Sequence, residues 1–252
     1  MQAVILAAGM GTRLKPLTDT QPKCLTEVGG MPLLVNALRQ LEAAGVEETI
    51  LVTGYLEQRV RECAGERLGK MKISYVHNPD YARTNNVYSL FLAAAQVRGA
   101  FLLVECDLFF GADALEALLA APGECAMLVS PFDPATMDGT VVRADPDGRV
   151  RELIVKKRQG AGFDVRGALK TVNLYRFSGA FALERFFPAL QTYVRTQSVN
   201  SYYEVVLGSL IYFGNDDIRA VSIDPARWAE VDTAADLALA EAKFSKKAAP
   251  RA

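Results

Sequence analysis

The chain has 252 residues, half of them hydrophobic, which suffices for one sizeable α/β core and is too little for two comfortable domains. With 28 basic residues against 29 acidic ones, it lacks the one-signed charge of a nucleic-acid or anionic-membrane binder, so a small partner is favoured. The four cysteines, at positions 24, 63, 106 and 125, make neither a CxxC pair nor a disulfide framework, and reduced thiols in a cytoplasmic setting are expected.

The opening AVILAAG is broken by Gly9 and Gly11 and carries no basic leader, so it reads as a buried strand over 3–7 rather than a signal peptide or a membrane span. A glycine-rich turn follows. Residues 32–44 then place Leu33, Leu34, Ala37, Leu38 and Leu41 at helical spacing and stop at Gly45. A buried strand over 49–53, a helix over 57–68, a strand over 71–76, a helix over about 87–96 and a strand over 101–106 continue the alternation. Strands alternating with helices predict an α/β fold: a Rossmann-like, doubly wound, mostly parallel sheet.

Beyond Pro131 the rhythm changes. Residues 140–143, 149–155 and 170–177 look like strands joined by Asp-Gly and glycine-rich turns, and helices over 179–195 and 202–212 precede a strand over 218–223 and a last helix over 233–244. No linker or repeat separates the halves. The expectation is a single domain over 1–245, with a nucleotide-binding half over about 1–130, an α+β acceptor-binding extension over about 131–245, and a frayed tail over 246–252.

The strongest signal is LAAGMGTRLKPLTDTQPKCLTEVGGMPLL, residues 6–34. Leu6, Ala7, Ala8, Gly9, Gly11 and Thr12 form a turn of small residues whose backbone N–H groups can approach phosphate oxygens. Arg13 and Lys23 add the positive charge that a triphosphate under attack at its α-phosphorus requires. A dinucleotide site is disfavoured because Leu14 stands where a third glycine belongs, and a P-loop lacks its Gly-Lys-Ser/Thr. The run resembles the N-terminal signature of the nucleotidyltransferases that make sugar nucleotides and CDP-alcohols. That resemblance implies the nucleotide-diphospho-sugar transferase fold, with Arg13 and Lys23 on the triphosphate. Cys24 replaces the proline that many sugar-type members carry after this lysine, a departure that hints at substrate class.

HNPDYARTNNVYSLFLA, residues 77–93, is the second signal. Asn85 and Asn86 precede a helix; either can be an N-cap, and an asparagine amide also offers the donor and acceptor that a cytosine edge needs. The stretch resembles the NNxYSL motif of phosphocholine and related cytidylyltransferases, which implies CTP as donor and Asn85, Asn86 and Ser89 near the base. Tyr88 and Leu92 read as core, and His77, the one histidine, as a loop residue. Lys170 opens KTVNLYRF, which resembles a stretch of cytidylyltransferases acting on phosphonates such as 2-aminoethylphosphonate; the lysine can hold the acceptor anion or be an ordinary strand end. Tyr202, Tyr203 and Glu204 make a candidate pocket for an ammonium head, although Ser201 and Glu204 also fit a capping box.

Asp107 ends the strand of LLVECDLFF at the sheet's carboxyl edge, where open α/β sheets bind ligands. Magnesium takes one or two carboxylates besides phosphate oxygens, so a second should arrive from elsewhere. WAEVDTAADLALAE resembles the family's W-x-E-I-D segment, which makes Asp232 the matching metal-binding residue. Thr233 with Asp236 can cap the last helix without Asp232. Glu105 is expected on the opposite face and Glu230 behind the ligands. The implied reaction is attack of a small phosphate or phosphonate on CTP with magnesium and loss of pyrophosphate, for which an acceptor already anionic needs no strong base. A sugar-1-phosphate nucleotidyltransferase using UTP or dTTP is the enzymatic rival, and a nucleotide-binding module without catalysis is the rival from another class. The sequence leaves oligomeric state open, a homodimer included.

Overall fold

The structure, a computed structural model, describes residues 1–160, 162–214 and 217–245. The predicted tail over 246–252 lies outside the described residues. The first half contains β1 (Gln2–Ala7), β2 (Glu27–Val28), β3 (Met31–Pro32), α1 (Leu33–Ala43), β4 (Glu48–Thr53), α2 (Glu57–Ala64), β5 (Arg67–Leu68), β6 (Met71–His77), α3 (Asn86–Ala94) and β7 (Phe101–Glu105). It continues through β8 (Leu108–Phe110), α4 (Ala112–Ala120) and β9 (Cys125–Pro131). The second half adds β10 (Val141–Ala144), β11 (Val150–Ile154), β12 (Leu169–Phe177), α5 (Phe187–Thr196), α6 (Tyr203–Phe213), β13 (Ile218–Ser222), β14 (Trp228–Glu230) and α7 (Ala234–Ser245).

One sheet runs in the order β11-β10-β12-β7-β1-β4-β6-β5, with β9 alongside β12 and β13 alongside β9. Strands β7, β1, β4 and β6 are parallel, and β12 joins β7 antiparallel. The chain leaves β1 toward β4 and β6, then returns to β7 on the other side of β1. That reversal opens a crevice at the carboxyl ends of β1 and β7, the place where such sheets bind ligands. The fold is therefore the predicted mixed α/β sheet with an antiparallel extension.

β1 is apolar throughout because both its faces are covered. Val4 and Leu6 pack with Leu90 and Ala93 of α3, whereas Ala3, Ile5 and Ala7 pack with Leu34, Leu38 and Leu41 of α1. A third cluster joins Leu14, Val28 and Leu33 to Val231 and Ala240, which clamps α7 against the chain leaving the glycine turn.

Several elements differ from expectation. The helix predicted over 57–68 ends at Ala64, because Gly65 takes φ +67 there and lets the chain turn back into β5. The helix predicted over 179–195 begins as a π-helical turn, Phe181–Phe186, before α5. Pro188 has no N–H for the ladder at that junction. Helix α4 and strand β9 are additions to the predicted elements. Among the described residues no helix is long and apolar enough to cross a membrane.

Candidate active site

The crevice is a cavity of about 950 Å³. The turn after β1 supplies Leu6, Ala8, Gly9, Gly11, Thr12 and Arg13 to its wall. Ala7 is buried on the other face, as the period of two in a strand demands. Gly11 has φ +60, and a Cβ there would stand 2.7 Å from Lys23 Cβ, so backbone shape and close approach both require glycine. At Gly9 nothing lies within 4 Å of where a Cβ would be, and the backbone faces open space.

Lys23 donates to Asp107 Oδ2 at 2.8 Å and contacts Asp232 as well. Arg13 reaches the other Asp232 oxygen at 2.8 Å. Burial opposes the charged form of Lys23, but Asp107 and Asp232 outweigh it and hold the ammonium well above its ordinary pKa. Asp232 shows the converse: burial would raise its pKa, and the cations Lys23 and Arg13 bring it below the usual value. The backbone cooperates, since Val231 N–H donates to the Asp107 carbonyl at 2.9 Å and ties β14 to the loop after β7.

Asp232 does not cap α7. Asp236 accepts from Thr233 N–H at 2.8 Å while Thr233 Oγ1 accepts from Asp236 N–H at 3.2 Å, a reciprocal capping box. Asp232 is thereby free to face the cavity. Asp107, Glu230 and Asp232 each bring a carboxylate oxygen within 4.8 Å of the others. Asp107 Oδ1 is buried and has no hydrogen-bond partner. Oxygens of hard carboxylates so arranged, one of them otherwise unsatisfied, fit a divalent cation such as magnesium.

Glu105 corrects an expectation. It is expected on the opposite face from Asp107, yet both line the cavity. Alternation puts Glu105 on the same face of β7 as Phe101 and Leu103, the face that α3 covers, and so beside Asn86 at the start of that helix. Asn86 Nδ2 donates to Glu105 Oε1 at 3.0 Å and lies 3.5 Å from Glu204 Oε2. Asn86 Oδ1 accepts from Tyr203 N–H at 3.0 Å, so both ends of this amide are engaged by the protein. Asn85 Oδ1 caps α3 through Asn86 N–H at 2.8 Å. Ser89 accepts from Asn78 Nδ2 at 3.1 Å on the same wall.

The Ser201–Glu204 capping box does not form, because α6 starts one residue late for it, with Tyr202 as N-cap. Glu204 instead turns into the cavity, where burial pushes its carboxyl up to about 7. Burial, then Asp107 and Glu204, raise Glu105 well above the usual carboxylate range. Tyr202 lines the cavity with Lys157 Nζ 5.7 Å from its ring centre. Tyr203 does not: it is fully buried, edge-on to Tyr175 in the core. Lys170 lines the cavity and pairs with Glu230 at 3.1 Å. Cys24 is buried behind Lys23 in the core, and His77 pairs with Glu57 at 2.5 Å at the end of β6.

Sequence reasoning passed over Asn78, Tyr81, Lys156 and Asn173, all on the cavity wall. Of these, Asn173 alone had a signal, a turn-favouring residue inside an otherwise strand-like run.

Comparison with known proteins agrees with the geometry. Over 246 residues, 97% of its length, the chain is 42% identical to CMP-5'-(3-aminopropyl)phosphonate synthase of Streptomyces rubellomurinus, and it spans 39% of that protein. It is 37% identical over 106 residues to choline-phosphate cytidylyltransferase of Streptococcus pneumoniae, spanning 41% of this chain and 43% of the other. The chain thus spans less than half the length of each of these relatives in the matched region. The solved CTP:phosphocholine cytidylyltransferase of Streptococcus pneumoniae shares the fold, with a TM-score of 0.76 at 22% identity over 96% of this chain and 97% of that one. Residues 3–171, which carry the glycine turn, Lys23 and Asp107, match the family of MobA-like NTP transferase domains, and the chain belongs to that family.

Proposed function

We propose that the chain is a cytidylyltransferase that moves CMP from CTP onto a small amino-substituted phosphonate or phosphate and releases pyrophosphate. The observation that carries the reading is the meeting of Lys23, Asp107 and Asp232 beside the glycine turn. In it an acceptor oxyanion attacks the α-phosphorus in line. The backbone of Gly9 and Gly11 cradles the triphosphate, and Arg13 and Lys23 meet the charge that develops on the departing pyrophosphate. Asp107 and Asp232, with Glu230 beside them, are the residues to hold magnesium, which when bound supplies charge neutralisation to the phosphates.

Asn85, its oxygen committed to the helix cap, offers its Nδ2 to the acceptor atoms of a cytosine. Lys170 takes the acceptor anion. Among the described residues Lys170 acts on Glu204 without forming an ion pair with it, and Glu105 has Asn86 as its hydrogen-bond partner, so an ammonium head on the acceptor suits these two carboxylates. The similarity to an aminopropylphosphonate-handling synthase supports the amino head. A pyrophosphate-release screen of four NTPs against aminoalkylphosphonates, phosphocholine and hexose 1-phosphates tests the proposal. CTP with an amino-substituted acceptor should be the best pair and chelation should stop turnover; UTP or dTTP with a sugar phosphate as the better pair defeats it.

A further inference from the structure

Asn173 sits inside β12 with φ +59, the left-handed region that a residue with a side chain seldom adopts. The sheet explains the position. The start of β12 bonds to β10 and its end bonds to β7, so the strand changes neighbours midway. On its other side the four-residue step from Thr171 to Tyr175 faces only the two-residue step from Val129 to Met127 of β9. The extra residues form a bulge, and a bulge re-aims side chains.

The side chain it re-aims is that of Asn173, which lines the cavity. Its Nδ2 donates to Glu230 Oε1 at 3.1 Å, while Oδ1 lies 2.9 Å from Thr171 Oγ1 and 3.4 Å from Tyr175 OH. A carboxylate only accepts, so the nitrogen of the amide must be the end that faces Glu230. The second Glu230 oxygen stands 3.1 Å from Lys170 Nζ, which also donates to the Thr171 carbonyl at 2.9 Å. Lys170 is 1% exposed, so its ammonium depends on these partners for both charge balance and direction.

We infer that Asn173 is a positioning residue for the acceptor: it fixes Glu230, and through Glu230 the Lys170 ammonium, so that the incoming oxyanion meets a cation in one place. This rests on the functional reading above. Asparagine is what the two conditions select together. The left-handed backbone admits glycine, asparagine and aspartate, and the need to donate to a carboxylate removes glycine and aspartate.

The test is steady-state pyrophosphate release by the wild type, Asn173→Gly and Asn173→Asp with magnesium, CTP and 3-aminopropylphosphonate, alongside thermal midpoints. Asn173→Gly keeps the backbone and deletes the amide; Asn173→Asp keeps the shape and sets a second carboxylate against Glu230. In both, the KM for the phosphonate should rise about tenfold or more, with the KM for CTP within about twofold. The glycine variant should melt close to the wild type. If Asn173→Asp does not fold, Asn173→Gly decides alone. An unchanged phosphonate KM, or equal losses toward CTP and phosphonate, overturns the inference while wild-type turnover leaves the functional reading standing. No wild-type turnover of CTP with any phosphonate or phosphate acceptor defeats the reading and this inference with it.

Discussion

Lys23 Nζ lies 2.8 Å from Asp107 Oδ2 across 84 positions of chain, and the same ammonium contacts Asp232. One cation therefore joins carboxylates delivered by two distant segments, the loop after β7 and the loop before α7. The pairing makes Lys23, the proposed phosphate-binding group, also the counter-charge of the two aspartates.

Lys23→Ala should lower turnover about a hundredfold or more, because charge facing the transition state is lost. It also leaves Asp107 and Asp232 facing each other without their lysine. The thermal midpoint of the variant should drop in chelator and recover on addition of magnesium, more than the wild type gains. A midpoint indifferent to magnesium would take the ion away from these carboxylates.

Asp232→Asn and Asp236→Ala should separate ligand from cap. The first removes charge beside Lys23 and Arg13 and should cripple turnover with the helix intact. The second deletes the acceptor of the Thr233 N–H and hydroxyl bonds and should cost about 1 kcal/mol of stability. Normal turnover in Asp232→Asn refutes the metal assignment.

Tyr203→Phe addresses a residue that the sequence placed on the acceptor. Its hydroxyl is buried in the core with Tyr175 as its neighbour, so its removal should change the thermal midpoint little. Acceptor KM should not change. A marked rise in that KM would return Tyr203 to the binding site.

The pH dependence of stability should carry the mark of Glu204. Burial pushes its carboxyl up to about 7, against the pull of Asn86 and Lys170. Between the ordinary carboxylate value and about 7 the folded protein then holds more protons than the unfolded chain, so stability falls as pH rises through that window. The slope from this group is at most roughly 1.4 kcal/mol per pH unit. Glu204→Gln cannot titrate, and its midpoint should gain on the wild type as pH rises from about 5 to about 8. A constant difference between the two melting curves would contradict the assignment.

Local pattern was enough for the parallel half of the sheet, the glycine turn with Arg13 and Lys23, and the helix cap at Thr233 and Asp236, because each depends on periodicity or on neighbours a few residues apart. The reach of Asp232 was legible only through its motif. What local pattern could not determine lies where distant segments meet. Glu105 faces the cavity because α3 brings Asn86 over its face of β7, and Glu204 does so because α6 begins at Tyr203 rather than a residue earlier. Asn173 reads as no more than a turn-favouring residue in a strand-like run until β12 is seen to change partners, and the same lysine-bearing run would be an exposed strand end without Glu230 beside it. Register, bulges and the pairing of buried charges arise from contacts between segments far apart in the chain, so they are decided when the sheet assembles.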